Sequence, residues 1–165
     1  MRKPIGFTHE PSNSEKIEWY TPPNIFNKLN FTFNLDVCSA GEGKDHVPAR
    51  SRYTKEDDGL IQPWHGTVWC NPPYGKYTAK WLRLMAKHND GIALVFARTG
   101  TKWWHEVVPT TSVVCFISGR LCFINGNDGR MGSSAGSDSV LLAWGGVATE
   151  VVLASKIGLC AKVIV

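Results

Sequence analysis

Two consecutive prolines directly after a short apolar run constrain this chain more than any other feature. The run is Thr67-Val68-Trp69-Cys70, and it leads into Asn71-Pro72-Pro73-Tyr74. Each proline ring fixes its own φ at about −65°, and the residue before a proline is driven into an extended conformation. A strand cannot continue regularly through this segment, so the sequence predicts a core strand that ends in a stiff loop.

The loop has the groups needed to hold an amine on a planar ring. The Asn71 side-chain oxygen and the Pro72 carbonyl are acceptors that a stiff loop can aim at the two N–H bonds of one amine. Tyr74 supplies a flat ring for stacking. The alternative interpretation is a rigid turn after a core strand, because Asn and Pro are ordinary turn residues. The segments around the loop favour the first interpretation.

Two further segments indicate an α/β architecture. Residues 77–87 place Trp81, Leu84 and Met85 on one face of an amphipathic helix. Residues 92–97 form a continuous apolar run, which is typical of a strand buried on both faces. Arg98 follows that strand at its carboxyl end, where open α/β sheets bind ligands.

The segment from Phe31 to Val37 alternates in polarity and is predicted to be a strand that carries Asp36 near its end. The following turn, Cys38-Ser39-Ala40-Gly41-Glu42-Gly43, is built of small residues and would let a nucleoside approach the backbone. Upstream, a short helix is predicted over residues 24–29, with Thr21 as its cap and Pro22 at its first position. In the alternative interpretation, this segment is a simple helix cap in which Trp19 is a core staple.

Downstream, strands are predicted at 112–117 and 120–124, around a Ser-Gly turn, and at 139–144. The polar, glycine-rich residues 125–138 are predicted to be a mobile loop beside the active face, or a plain surface loop. Residues 147–165 are apolar enough for a closing strand or helix.

The length of 165 residues predicts one domain, residues 18–165, after a flexible N-terminal arm, residues 1–17. No apolar run approaches the roughly 20 residues of a membrane helix, and no secretory pattern follows Met1, so a cytoplasmic protein without a membrane partner is expected. The five cysteines lack paired metal spacing, which predicts reduced core thiols and no metal site. No feature requires an obligate protein partner.

The formal charge of +4 and the isoelectric point near 8.8 permit a polyanionic partner. Basic residues follow the proposed loop, where phosphates would pass. The candidates for contact with phosphates, and for DNA contact if the polyanion is DNA, are Lys76, Arg98, Arg120 and Arg130. A solvated surface face is the alternative for these residues.

Six segments, in the same order along the chain, resemble the phage-type DNA adenine-N6 methyltransferase (Dam) family. They cover most of the chain between Glu18 and Trp144. The segments are Glu18-Trp19-Tyr20-Thr21-Pro22, Leu35-Asp36-Val37-Cys38-Ser39-Ala40, Tyr53-Thr54-Lys55-Glu56-Asp57-Asp58-Gly59-Leu60, Val68-Trp69-Cys70-Asn71-Pro72-Pro73-Tyr74-Gly75, Ala97-Arg98-Thr99 and Gly119-Arg120-Leu121-Cys122-Phe123.

The resemblance implies a compact, abbreviated Rossmann-like methyltransferase fold with a mixed, mostly parallel central sheet. It also implies S-adenosylmethionine as the cofactor, double-stranded DNA as the partner and the exocyclic N6 amine of adenine as the methyl acceptor. The implied catalytic residues are Asn71, Pro72, Pro73 and Tyr74. The implied cofactor-binding residues are Trp19, Thr21, Asp36, Ser39, Asp58 and Asn71, with Asp57 as the substitute for Asp58.

Two alternatives stay open for the function. Asn-Pro-Pro-Tyr also serves methyltransferases that act on cytosine N4 or on protein glutamine. A catalytically silent DNA-binding module would fit the positive charge and the departure of residues 38–43 from the usual aromatic-x-Gly-x-Gly cofactor motif. For Asp57 and Asp58 a surface turn is equally compatible, because Asp-Gly is a common turn signal.

Overall fold

The computed structural model describes residues 18–164, and the arm expected at residues 1–17 lies outside the described residues. The elements, in chain order, are β1 (Trp19–Tyr20), α1 (Pro23–Leu29), β2 (Phe33–Asp36), β3 (Ala49–Arg52), β4 (Val68–Cys70), α2 (Thr78–His88), β5 (Gly91–Phe96), α3 (Lys102–Val107), a 3-10 turn (Val108–Thr110), β6 (Val113–Ile117), β7 (Cys122–Asn125), β8 (Met131–Ser134), β9 (Ser139–Trp144), α4 (Gly146–Ser155) and β10 (Gly158–Lys162).

Seven strands form the central sheet, in the order β10-β6-β9-β5-β4-β2-β3. Strands β3, β2, β4 and β5 are mutually parallel. Strand β9 is antiparallel to both β5 and β6, so β6 runs in the same direction as β5, and β10 is antiparallel to β6. This mixed, mostly parallel sheet with helices confirms the predicted fold class.

The direction of chain progression reverses around β2. The chain leaves β2 for β3 on one side and then crosses to β4 on the other, with no helix between β2 and β4. Ligands of open α/β sheets bind in the crevice at such a switch point, beyond the carboxyl ends of the strands. Here those ends carry Asp36 and the loop that begins at Asn71.

Apolar side chains on the two faces of the sheet form two cores. Ile92 and Leu94 of β5 pack toward α1 and α4, whereas Ala93 and Val95 pack toward α2 and α3. This explains why β5 is a continuous apolar run. On α2 the expected burial of Trp81 and Met85 is confirmed, but Leu82 is buried in place of the half-buried Leu84. Along residues 18–164, no helix combines the length and apolar character needed to cross a membrane.

A second, three-stranded sheet has the order β1-β7-β8 and corrects two predictions. Strand β7 does not form a hairpin with β6 in the central sheet; it pairs with β1, while β6 pairs with β10. The segment predicted to be a mobile loop contains β8, paired with β7. At Gly132 a Cβ would lie 2.6 Å from the Trp19 ring, so glycine leaves room for this ring against the backbone of β8.

The tail contributes both a helix and a strand, α4 and β10, where one of the two was expected. All five cysteines are free, but only Cys70 and Cys115 are buried. Cys38, Cys122 and Cys160 are half-buried, so the prediction of core thiols holds for two of the five.

Candidate active site

The loop after β4 is fixed to the start of α2 by Thr78. The Thr78 hydroxyl donates to the Pro73 carbonyl at 2.9 Å and accepts from the Gly75 backbone N–H at 3.0 Å. Gly75 has a φ of 121°, a conformation that a residue with a side chain rarely adopts. The sequence analysis predicted a stiff loop from the prolines but missed this clamp, for which a threonine at the helix start was the only signal.

The two ends of the Asn71 carboxamide have different environments. Its Nδ2 donates to Thr21 Oγ1 at 3.2 Å. Its Oδ1 is buried and has no hydrogen-bond partner among residues 18–164. An unpaired buried acceptor costs about 1–3 kcal/mol, so such an atom in a crevice points to a ligand donor that completes it.

The Tyr74 ring lies on the ring of Phe96, at the carboxyl end of β5. The centroids are 4.3 Å apart and the planes are inclined by 12°. Arg98 lies over Phe96 with 5.6 Å from its guanidinium carbon to the ring centroid, and Phe123 of β7 meets Phe96 edge-on at 6.2 Å. Tyr74 remains 37% exposed, so it offers a supported aromatic surface. Phe96 was missed, because the apolar run around it indicated only a core strand.

Thr21 does not cap α1. The helix begins at Pro23, and Pro22 is its N-cap residue, in an extended conformation and without a side-chain cap bond. Pro22 is extended because a proline follows it. Thr21 is instead buried, and its side-chain contact is with Asn71. Trp19 is 42% exposed and lies against Gly132, so it is not a core staple.

Asp36 is buried at the end of β2 and accepts from the Cys38 backbone N–H at 3.1 Å. Burial and the nearby charge of Asp45 raise the pKa of Asp36 from 3.8 to about 7. A cationic ligand group beside this carboxylate would offset the cost of ionising it.

The small-residue turn after Asp36 is organised by Asp45, which sequence reasoning missed. Its carboxylate accepts from the Ser39 hydroxyl at 2.6 Å and from the backbone N–H groups of Ala40 at 3.1 Å and Val47 at 3.2 Å. The Ser39 hydroxyl also accepts from the Gly41 N–H at 3.0 Å. The Ser39 side chain is therefore engaged within the turn, and it shapes the turn from inside.

The family model for DNA N-6-adenine-methyltransferase (Dam) matches residues 8–161. The chain belongs to the Dam family. It is 25% identical over 141 residues to the DNA N-6-adenine-methyltransferase of Escherichia phage T1, a match that covers 72% of this chain and 59% of that protein. It is 33% identical over 64 residues to the putative methyltransferase YfdM of Escherichia coli K12, covering 34% of this chain and 70% of that protein. No solved structure matches it.

The resemblance stated from the sequence is thus confirmed. This chain spans about three fifths of the length of the phage T1 relative, by the 59% that the match covers. In this Dam family member, the four residues of the loop and the acidic end of β2 lie at one switch point of one sheet.

In this Dam family member, Asp57 and Asp58 lie in an exposed turn after β3. Asp57 accepts from the backbone N–H of Thr54 at 2.7 Å and from its hydroxyl at 2.8 Å, which lowers the pKa of Asp57. Asp58 has a φ of 54° and accepts from the Leu60 N–H at 3.2 Å. Each of these carboxylates uses one oxygen within the turn, so Asp58, with Asp57 as its substitute, stays a predicted ligand contact.

The four basic candidates fall into two groups. Lys76 and Arg98 are exposed beside the loop, Lys76 with its Nζ 4.9 Å from the Tyr77 ring centroid and Arg98 over Phe96. Arg120 and Arg130 belong to the second sheet, where Arg120 lies 3.4 Å from an Asp138 carboxylate oxygen and Arg130 is exposed in the turn before β8. The second sheet meets the site through Phe123 and Phe96.

Asp36→Asn should make this Dam family member more stable at alkaline pH. The folded pKa of Asp36, about 7, lies above the unfolded value of 3.8, so stability is greatest when the carboxyl is protonated and falls as pH rises from about 4 to 7. The asparagine side-chain oxygen can accept the hydrogen bond from the Cys38 N–H and does not ionise. We expect the Asp36→Asn variant to melt at a higher temperature than the parent, by a larger margin at pH 8 than at pH 4.5. The gain in unfolding free energy at pH 8 is at most about 4 kcal/mol.

The control is Asp90→Asn, at a half-buried position before β5. A parent whose stability is flat between pH 4 and pH 8, or an Asp36→Asn variant with the same pH profile as the parent, would contradict the assignment of a costly buried carboxylate at the end of β2.

Proposed function

We propose that this protein transfers a methyl group from S-adenosylmethionine to the exocyclic N6 amine of adenine in double-stranded DNA. The observation that carries the proposal is the Asn71 side-chain oxygen, buried and without a partner, in the same loop as the exposed Tyr74 ring. A buried oxygen that lacks a hydrogen-bond donor, next to an exposed aromatic ring, suits an amine on an aromatic heterocycle. Membership of the Dam family and the name of the phage T1 relative support adenine as that base.

Amine recognition explains why the site needs no strong base. The adenine amine is a poor nucleophile because its lone pair is delocalised into the ring. In the proposed mechanism the Asn71 oxygen and the Pro72 carbonyl accept its two N–H bonds and favour the pyramidal form. They would also stabilise the positive charge that grows on nitrogen as it takes the methyl group, while the methyl–sulfur bond of the cofactor breaks, the sulfur leaves as a neutral thioether and the surplus proton goes to water.

The residues at the carboxyl end of β2 fit the cofactor. S-adenosylmethionine supplies an electrophilic methyl group and carries an ammonium, a carboxylate and an adenosine. Asp36 would hold a cationic group, since its buried carboxylate has a raised pKa that a positive charge would lower again. The turn held by Asp45 would admit the nucleoside to the backbone, and Asp58 would accept from an amine. Thr21, whose hydroxyl meets Asn71, would lie beside the cofactor, and Trp19, two residues before it in β1, is a further candidate for contact.

The target base must leave the duplex to reach Asn71, which costs a few kcal/mol in unstacking and unpairing. Stacking on Tyr74 would offset part of that cost, with Phe96 supporting the opposite face of the tyrosine. The Asn71 oxygen is buried as the structure stands, so the loop must open locally as the base enters. Such a reaction belongs in the cytoplasm, where double-stranded DNA and the cofactor occur together.

The proposal is tested by incubating the protein with methyl-labelled S-adenosylmethionine and unmethylated duplex DNA, followed by nucleoside analysis. Label in N6-methyl-2′-deoxyadenosine is the expected result. Label in N4-methyl-2′-deoxycytidine, or in protein only, would instead assign the activity to the cytosine amine or to a protein amide. Binding of duplex DNA without transfer of label would indicate a silent DNA-binding module.

Arg98→Ala should weaken binding of duplex DNA and reduce its salt dependence. Each phosphate contact that is lost lowers the slope of log K against log salt by about 0.9. Arg120→Ala should have a smaller effect of the same sign, because Arg120 already pairs with Asp138 at the surface. The measurement is binding across a salt series, with circular dichroism to verify folding.

Asp138→Ala provides the matched control, since it frees Arg120 and should leave DNA binding unchanged or tighter. If Arg98→Ala and Arg120→Ala both bind DNA as the parent does at every salt concentration, these two side chains lie off the DNA surface, and Lys76 and Arg130 become the residues to test.

A further inference from the structure

The contact between Thr21 and Asn71 joins two segments that are 50 residues apart in the chain. Thr21 is only 3% exposed. It follows β1, which pairs with β7, and it precedes the extended Pro22 at the start of α1, so the backbone is restrained on both sides. Its hydroxyl accepts from the Asn71 Nδ2 at 3.2 Å, and the carboxamide oxygen of Asn71 has no partner among residues 18–164. The Thr21 hydroxyl is therefore the fixed hydrogen-bond partner at the nitrogen end of the Asn71 amide.

The orientation of this amide decides whether it can act. Only the oxygen end can accept from an amine, and the nitrogen end would place donors against donors. In the orientation seen here, the Thr21 hydroxyl accepts from the amide nitrogen, and the amide oxygen has no partner among residues 18–164. A side chain without an oxygen at position 21 would leave this buried N–H group unpaired, at a cost of about 1–3 kcal/mol.

We infer that Thr21 is a positioning residue that holds the Asn71 carboxamide in the arrangement in which its oxygen can accept from the target amine. The inference rests on the proposed function, and it gives Thr21 a role that is separate from holding the cofactor. Thr21 acts through Asn71 and need not touch the base. The segment before α1 thereby presets the acceptor before DNA arrives, which is electrostatic preorganisation.

The test is a set of variants with matched shape. Thr21→Val keeps the size and β-branching but removes the acceptor, and it should lower the single-turnover methylation rate about 5- to 150-fold, the factor that corresponds to one unpaired buried partner. The half-saturating DNA concentration should be unchanged. Thr21→Ser, which keeps the hydroxyl, should restore most of the rate. Thr67→Val is the control, because Thr67 is also buried and lies at the other end of β4.

A double-mutant cycle separates this role from a cofactor contact. If Thr21 acts through Asn71, Thr21→Val should cost nothing further in an Asn71→Ala background. Additive losses would overturn the inference, and so would a Thr21→Val variant whose main defect is a smaller shift in melting temperature with S-adenosylmethionine.

A second readout does not depend on activity. In nitrogen-15-labelled protein without DNA, the side-chain amide hydrogens of Asn71 should exchange slowly in the parent and in Thr21→Ser, and faster in Thr21→Val. Equal exchange in the parent and in Thr21→Val would overturn the inference. Slow exchange that Thr21→Val abolishes, in a protein that methylates no DNA, would leave the Thr21 contact standing and reject the proposed function.

Discussion

Asn71→Ala should lower the rate of methyl transfer by about 10²-fold or more while the protein still binds cofactor and DNA. The alanine removes one of the two acceptors that face the amine, and losing one preorganised partner of a developing charge has an effect of this size. The overall fold should survive, because the Asn71 oxygen has no hydrogen-bond partner to lose among residues 18–164 and the lost nitrogen contact is with Thr21 alone. The measurement is single-turnover methylation of duplex DNA at saturating cofactor.

Asn27→Ala is the matched control, since it makes the same substitution at an exposed position of α1, outside the loop. Separate binding measurements for cofactor and DNA show whether the loss lies in the chemical step. Parental methylation rates in a folded Asn71→Ala protein would remove the loop from the mechanism, and the proposed function would lose the observation that carries it.

Tyr74→Ala should fail in a different way, with weaker capture of the base as well as slower turnover. Stacking of one base on an aromatic side chain is worth about 1–3 kcal/mol, which corresponds to roughly 5- to 150-fold in the half-saturating DNA concentration. Loss of the ring also exposes Phe96, now covered at a centroid distance of 4.3 Å. Tyr74→Phe keeps both the ring and its stack on Phe96, so it should stay active.

The experiment measures single-turnover rates over a range of DNA concentrations, with 2-aminopurine fluorescence at the target position as a report on the flipped base. Tyr77→Ala is the control, because Tyr77 is an exposed tyrosine, 53% accessible, just beyond the same loop. A Tyr74→Ala protein with the parent's half-saturating DNA concentration would place the base elsewhere, and an inactive Tyr74→Phe would show that the hydroxyl matters.

The two proline residues and the apolar runs were sufficient to locate the loop, the strands β4 and β5 and the amphipathic helix α2. These features depend on local physics: a proline restricts its own backbone and that of its neighbour, and the period of apolar residues reports which face of an element is buried. The family resemblance, carried by ordered short segments, added the expectation of the cofactor and of the reaction. The position of Asp36 at the end of β2 was also predicted from the local sequence, because the alternating strand pattern of residues 31–37 ends there.

The contacts that complete the candidate site were decided by tertiary structure. Thr21 was predicted to cap a helix and instead holds Asn71 from 50 residues away. Phe96 was predicted to be only a core residue and carries Tyr74, because β4 and β5 are adjacent and parallel and their carboxyl ends coincide.

Strand β8 was predicted to be a loop, since its polar, glycine-containing sequence has no apolar period. It is a strand because β7 offers it a ladder of backbone partners and Gly132 accommodates Trp19. Sequence periodicity by itself indicated which face of α2 is mainly buried and that β5 is buried on both faces. Which distant residue meets which depends on the order and direction of the strands, and only the assembled sheet contains that information.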